Sequence, residues 1–178
     1  MRKSLEDTWL YLQSEGEETP RRPNGLPFVP DAMPNIDDTE LGLTYHKYRL
    51  EDADNGRLTM PRTFFGRSWF ARVNFAATDL SESRMCWNEF DECDFSGADL
   101  TRCDMRGSIF TDCKFVGANL RGADLRRSTF DGCDFADAAM TEAVAADDCS
   151  EGCVDDFVTP EQRAVMVHVD DGPEPPGG

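Results

Sequence analysis

Every fifth residue of one long stretch of this chain is large and apolar. From Met60 to Met140, 17 consecutive positions spaced by five hold Phe, Leu or Met without exception. Because only 39% of the chain is hydrophobic, chance would not produce an unbroken run of this length. A period of five matches neither a helix, at about 3.6 residues, nor an alternating strand, at about 2. It predicts a chain that turns a corner every five residues and points one large side chain inward each time.

The large residues sort into four columns when they are taken in steps of 20. Two columns are entirely Phe, and the other two are Leu and Met apart from Phe65. Small side chains, such as Cys93 and Ala98, mostly lie two residues before each large one. Residues 20 apart therefore share an environment, as in coils of four five-residue sides stacked about 4.8 Å apart. The Phe columns are Phe70, Phe90, Phe110 and Phe130, and Phe75, Phe95, Phe115 and Phe135.

These units resemble the pentapeptide-repeat family, whose pattern is often written A(D/N)LXX. The resemblance covers about half of the chain, and it implies an all-β solenoid, a right-handed quadrilateral β-helix of about four coils. It implies little about function, because one fold serves many functions. The matching units are Ala98-Asp99-Leu100, Ala118-Asn119-Leu120 and Ala123-Asp124-Leu125, with Cys-Asp-Phe at 93–95 and 133–135 as a variant.

The reach of the repeat divides the chain into three segments. Residues 58–142 are expected to form the β-helix, with an N-terminal cap in residues 1–57 and a C-terminal cap in residues 143–178. Caps are needed because the open ends of a solenoid expose unpaired strand edges.

Each cap has its own local signals. Residues 4–13 have the apolar spacing of a short helix. Residues 14–40 are Pro-rich and are expected to be irregular. Asp54-Asn55-Gly56 is typical of a hairpin turn, and it predicts pairing between strands near 43–50 and 57–64. Thr159-Pro160-Glu161-Gln162 predicts the start of a short helix over about 160–168. The tail after that helix is expected to be disordered.

The composition excludes several classes of function. A net charge of −17 repels nucleic-acid phosphate and anionic lipid, so direct binding to either is not expected. No run approaches the roughly 18 apolar residues of a membrane span, and Glu6 and Asp7 interrupt any signal-peptide apolar region. The seven cysteines lack the paired spacings of a secreted disulfide scaffold. Together these features predict a cytoplasmic protein.

No motif points to catalysis, a cofactor or a metal. His46 and His168 lie in the flanks outside any acid–base motif, and no phosphate loop or nucleophile elbow is present. Cys149 and Cys153 are too laxly spaced for zinc and have no His nearby. Cys86 falls at an outward position and is the best candidate for an accessible thiol. Four other cysteines are expected to act as small core residues, namely Cys93, Cys103, Cys113 and Cys133.

The outward positions give the rod two kinds of face. Residues 58–142 carry 14 acidic and 10 basic side chains, so the rod is not uniformly negative. The face over the column of Phe90 presents the acidic residues Glu89, Asp91, Glu92, Asp112 and Asp131. The neighbouring face carries three more acids, Asp94, Asp134 and Asp137. In contrast, the face over Met85 and Leu125 is rich in Arg. The acidic set over Phe90 is the first candidate binding surface, with a solvated surface as the alternative.

Two tryptophans occupy positions where polar residues are expected. Trp69 and Trp87 lie near the N-terminal end of the rod on adjacent faces. Either residues 1–57 fold back over them, or Trp87 and Arg84 anchor an interface, since Trp and Arg dominate binding hot spots.

Two non-enzymatic functions fit these features. The first is a protein-binding module that neutralises or positions a partner with a basic patch, of which an immunity protein against a toxin is one form. The second is implied by the family resemblance, since some pentapeptide-repeat proteins bind DNA gyrase, a topoisomerase, by imitating duplex DNA. That role goes with long, evenly acidic rods, and the Arg-rich face departs from it. The sequence leaves the oligomeric state, including a homodimer, open.

Overall fold

The computed structural model describes residues 1–18, 44–147 and 151–170. Residues 44 to 146 form the predicted right-handed quadrilateral β-helix. Neighbouring coils are joined by parallel pairing between residues 20 apart, as between Phe90 and Phe110. Most of the stretch predicted to be irregular, the final tail and Cys149 lie outside the described residues.

The regular elements are short, because each side of a coil is only five residues long. A helix precedes the coils, and a second helix and one more strand follow them. In chain order the elements are α1 (Leu5–Glu18), β1 (Thr44–His46), β2 (Arg49–Glu51), β3 (Phe64–Gly66), β4 (Trp69–Ala71), β5 (Glu89–Asp91), β6 (Ile109–Thr111), β7 (Thr129–Asp131), β8 (Val144–Ala146), a 3-10 turn (Val154–Asp156), α2 (Pro160–Ala164) and β9 (Val167–Val169).

Each coil has four faces, which we number in chain order. Face 1 includes residues 88–92 and their equivalents 20 apart, face 2 includes 93–97, face 3 includes 98–102, and face 4 includes 103–107. Strands β2, β4, β5, β6 and β7 form one parallel sheet on face 1. The other faces are joined mainly by single parallel bridges, such as Asp99 with Asn119 on face 3.

The predicted Phe columns are stacks of parallel rings. On face 1 the ring centroids of Phe90 and Phe110 lie 5.0 Å apart with a 3° angle between the planes. On face 2 those of Phe115 and Phe135 lie 4.7 Å apart at 2°. Rings of the two columns meet edge to face, as between Phe110 and Phe115 at 5.5 Å. All of these rings are buried, and burial at about 25 cal/mol per Å² makes the interior the main source of stability.

The corners are set by the backbone. Every fifth residue from Lys47 to Glu142 has a φ between 49° and 66°, in the left-handed region. Only five of these 20 corner residues are Gly, although a left-handed conformation costs other residues roughly 1 kcal/mol or more. Packing of the large residue and pairing with adjacent coils must therefore hold the corners.

The β-helix is longer than predicted, and the predicted hairpin is wrong. Tyr45 pairs with Phe65 and Leu50 pairs with Phe70, both in parallel register, so a first coil begins at residue 44. From residue 44 to residue 146 the chain makes just over five coils rather than about four. The sequence hid the first coil because Asn55, a polar residue, occupies the position of a large inward side chain. The turn at Asp54-Asn55-Gly56, predicted to be a hairpin turn, is instead a coil corner. There the carboxylate of Asp54 accepts a hydrogen bond from the Gly56 amide at 3.0 Å.

Helix α1 covers the N-terminal open end and extends beyond the predicted residues 4–13. Its Leu12 is buried, and Thr8 accepts a hydrogen bond from the Thr59 amide at 2.8 Å. The Tyr11 hydroxyl donates to the Asp54 carbonyl at 2.9 Å. These contacts satisfy exposed backbone groups of the first coil, which is what a solenoid cap must do.

At the other end the cap combines a helix with a strand. The predicted helix start is confirmed and has a capping box, with Thr159 accepting from the Gln162 amide and Gln162 accepting from the Thr159 amide. The Gln162 side chain also donates to the carbonyls of Phe135 and Ala138, at 2.8 and 3.0 Å. The predicted helix over 160–168 is wrong in length, because α2 ends at Ala164 and Val167–Val169 instead pairs with β8.

Candidate functional site

Many carboxylates on the outside of the β-helix serve the fold. At the residue before the large one, Asp or Asn accepts a hydrogen bond from the amide two residues further on. Asp99 accepts such a hydrogen bond from the amide of Thr101 at 3.1 Å, and Asp124 accepts one from the amide of Arg126 at 3.2 Å. This is an Asx turn, which stabilises the corner that follows. The acidic position of the repeat pattern is therefore structural.

The five acidic residues proposed on face 1 do not take part in such turns. None of their carboxylates makes a side-chain hydrogen bond or ion pair with the described residues. Asp91 is half-buried, and the other four, Glu89, Glu92, Asp112 and Asp131, are exposed. We call these five residues the face 1 carboxylates. Glu92 and Asp112 occupy equivalent positions in adjacent coils, so they lie close enough to repel each other.

Asp112 is also positioned by a glycine. Gly132 follows it by one coil at a corner with φ of 62°, and a Cβ added there would overlap the carboxylate of Asp112. The Asp112 carboxylate can therefore occupy this position only because residue 132 has no side chain.

The N-terminal part of face 1 differs, because its acids are neutralised. Arg72 contacts Asp52 at 2.7 Å and Glu51 at 3.5 Å, and Arg49 contacts Glu51 at 2.7 Å. The hydrogen bond from Arg72 holds the pKa of Asp52 below its ordinary value. The unpaired negative charge of face 1 is therefore confined to its C-terminal part.

The C-terminal part of the Arg-rich face 4 pairs two of its arginines with two Asp residues. Arg106 contacts Asp104 at 2.7 Å and Asp124 at 3.6 Å, and Arg126 contacts Asp124 at 2.6 Å. Burial opposes ionisation of Asp104, but hydrogen bonds from Arg106 and Cys86 outweigh it and lower the pKa of that carboxyl. Arg84, on the same face, is exposed and has no ion pair among the described residues.

Among the described residues, the N-terminal segment 1–57 covers part of Trp69 through Arg49 and leaves Trp87 open. Trp87 is 60% exposed. Trp69 is half-buried, with the guanidinium of Arg49 4.0 Å from its ring centroid. The structure thus places Trp69, Trp87 and Glu89 around one open depression at the edge between faces 4 and 1.

Four cysteines in the described part of the chain are buried, namely Cys93, Cys103, Cys113 and Cys133. Cys86 is half-buried, and burial raises its pKa to about 12, so it is a poor candidate for the accessible thiol that its position predicted. Cys113 is buried and donates to the Thr111 carbonyl at 3.4 Å. Within the described residues, no group of His, Cys, Asp and Glu is arranged to hold a metal ion. Cys153 is disulfide-bonded, which its sequence spacing did not indicate.

The family comparison agrees with the repeat register. A family model of pentapeptide repeats in eight copies matches residues 70–107 and again 108–144. The repeat region belongs to the pentapeptide-repeat family. No curated protein matches the chain. Within the described residues no helix has the length and apolar character needed to cross a bilayer.

Solved structures of pentapeptide-repeat proteins resemble the chain in fold. HetL of the cyanobacterium Nostoc sp. PCC 7120, which is involved in regulating heterocyst differentiation, is 18% identical with a TM-score of 0.56; the match covers 61% of this chain and 51% of HetL. A thylakoid-lumen protein of Arabidopsis thaliana is 23% identical with a TM-score of 0.50, covering 64% of this chain and 72% of its own. The chain thus spans about half the length of HetL. At these identities the likeness shows the fold alone.

Proposed function

We propose that this pentapeptide-repeat protein is a non-enzymatic binding module, which holds a partner protein by a basic patch against the face 1 carboxylates. The observation that carries the proposal is the contrast between carboxylates that are used by the fold and carboxylates that are not. An acid in an Asx turn or an ion pair has a structural reason to be present. The face 1 carboxylates take part in neither kind of contact among the described residues, and they are grouped on one flat surface.

The physics of such a surface favours a basic protein. Adjacent like charges raise the local negative potential, so a positive patch gains on approach and is steered towards the face. The β-sheet beneath is rigid, because its strands rest on the stacked Phe rings. A rigid surface loses little conformational entropy on binding. Binding of this kind neutralises or positions the partner, and an immunity protein against a basic toxin is one concrete form.

The gyrase-binding alternative has less support from the geometry. An imitation of duplex DNA needs negative charge along the rod, whereas Arg49 and Arg72 neutralise the N-terminal part of face 1. Face 4 adds Arg side chains that are paired with its own Asp residues. A gyrase supercoiling assay with and without the protein tests this alternative directly, and an altered supercoiling response would favour it over the module proposed here.

Charge reversal tests the module. The triple variant Asp91→Lys, Asp112→Lys and Asp131→Lys is compared with wild type in quantitative capture of partners from native lysate. A matched control, Glu6→Lys, Asp137→Lys and Glu161→Lys, changes the net charge equally on exposed residues elsewhere. We expect a basic partner that is captured by the wild type and the control to be lost at least tenfold with the face 1 variant. Equal capture by all three proteins would refute the assignment of face 1.

A further inference from the structure

An open depression of about 660 Å³ lies at the edge where face 4 meets face 1. We call it the Trp groove. Two tryptophans form its walls, three basic residues lie towards its N-terminal end, and one acid lies at its C-terminal end. These residues are Trp69, Trp87, Lys47, Arg49, Arg67 and Glu89.

Both aromatic walls are fixed before any ligand arrives. The indole of Trp87 lies across Gly107, one coil further on, where an added Cβ would sit 3.0 Å from the ring. Gly107 therefore lets the indole lie flat while 60% of the residue stays exposed. Trp69 is held by Arg49, which stacks 4.0 Å from its ring centroid and is anchored in turn by Glu51 at 2.7 Å.

The groove also contains positive charge that the described molecule does not neutralise. Lys47 and Arg67 occupy equivalent corners of adjacent coils and are exposed, and neither makes an ion pair or side-chain hydrogen bond with the described residues. Equivalent corners lie about 5 Å apart, so the two cations repel each other. Elsewhere on the rod Arg62, Arg72 and Arg106 are paired with carboxylates. In a chain of net charge −17, two adjacent unpaired cations attract an external anion locally.

We propose that the Trp groove binds an acidic peptide segment of a partner protein. One or two carboxylates of the segment contact Lys47 and Arg67, and an apolar side chain packs between Trp69 and Trp87. Glu89 sets the direction, because it repels a carboxylate at the C-terminal end of the groove. Nucleic acid is a poorer occupant, since the surrounding negative charge repels a phosphate backbone along its length. This site shares only Glu89 with the face 1 carboxylates, and the residues that contact the peptide are all outside that set.

The test is a selection of random 12-residue peptides against the folded full-length protein, followed by calorimetric titration with the recovered peptides. We expect sequences that combine Asp or Glu with Phe, Leu or Trp. Their affinity should fall at least tenfold in the double variant Lys47→Glu and Arg67→Glu, and at least fivefold in Trp87→Asn. Asn is chosen because it tolerates the left-handed corner at residue 87, where φ is 59°.

The double variant Arg57→Glu and Lys114→Glu supplies the matched control, since both exposed residues lie on face 2 and the net charge changes equally. It should leave the affinity for acidic peptides within twofold, and far-UV circular dichroism should show that all variants are folded. Failure to recover acidic peptides, or recovered peptides that bind the groove variants as tightly as wild type, overturns the proposal. Basic peptides that bind the wild type and do not bind Asp112→Lys would be ligands of face 1 rather than of the Trp groove. The proposal for the groove and the proposal for face 1 can therefore fail separately.

Discussion

Faces 1 and 3 lie on opposite sides of the same β-helix, and both carry carboxylates. On face 3 every carboxylate has a partner: Asp79 and Asp99 hold the amides of Ser81 and Thr101, Glu82 contacts Arg62 at 3.0 Å, and Glu142 contacts Arg121 at 3.4 Å. On the C-terminal part of face 1 no carboxylate makes a hydrogen bond or ion pair with the described residues, and Glu92 is only attracted at a distance by Arg72 of the adjacent coil. The comparison teaches that net charge does not locate a binding surface in this fold. Our proposal of face 1 rests instead on the carboxylates that the fold does not use.

The largest expected effects lie inside, where the two faces should behave alike. Phe110→Ala on face 1 and Leu120→Ala on face 3 each remove a side chain with 0% exposure. Each should lower the free energy of unfolding by about 3–5 kcal/mol, from lost burial and the cavity that remains. Urea denaturation followed by circular dichroism measures the loss. A difference of several kcal/mol between the two would show that the faces differ in their interior as well as outside.

The outer carboxylates should separate the faces. Asp99→Ala on face 3 leaves the amide of Thr101 without its acceptor and should cost about 1–2 kcal/mol. Asp131→Ala on face 1 should stay within about 0.5 kcal/mol of wild type, because no described group depends on its carboxylate. The same denaturation experiment applies, and Asp99→Asn should restore most of the loss because its amide oxygen also accepts. If Asp131→Ala costs as much as Asp99→Ala, the distinction between the faces fails.

A pair of glycines tests how the corners position face 1. Gly97 and Gly132 have nearly the same φ, 64° and 62°, so Ala at either should cost about 1 kcal/mol of strain. Nothing lies within 4 Å of a Cβ added at Gly97, whereas one at Gly132 must displace the Asp112 carboxylate. Carboxyl carbon NMR should therefore show a shifted Asp112 signal in Gly132→Ala alone. An unchanged signal would mean that the glycine does not position that acid.

The smallest effect concerns pH and face 4, where the carboxylates Asp104 and Asp124 are paired as those of face 3 are. The pKa of Asp104 is lower in the folded protein than its value of 3.8 in the unfolded chain. The ionised carboxylate therefore stabilises the fold fully at pH values above 3.8. This contribution is lost as the pH falls through the pKa of the folded protein. The stability difference between wild type and Asp104→Asn should shrink below about pH 4.

Denaturation at pH 7 and pH 3 measures this difference. In an Arg106→Gln background, which lacks a main partner of Asp104, it should be small at both pH values. A difference that is the same at pH 7 and pH 3 in the wild-type background would contradict the assigned pairing.

The repeat could be read from the sequence because each coil repeats the same local rule. A large residue every five positions can only be buried if the chain turns every five positions, and identical residues 20 apart then stack. That reasoning anticipated the stacks of Phe90, Phe110 and Phe130 and the helix start at Thr159. It missed the first coil, since Asn55 interrupts the apolar run, and it predicted a hairpin at Asp54-Asn55-Gly56 because hairpins and coil corners favour the same turn residues.

The sequence alone determined the interior of this protein: the period, the columns and the identity of the repeat. Only the tertiary structure decided the surface, including which acids are used in turns, which arginines are paired and which tryptophan is open. The physical reason is that inward residues obey a rule contained in five consecutive positions. The partner of an outward side chain is set by the residue one coil away and by the geometry of the corner between them.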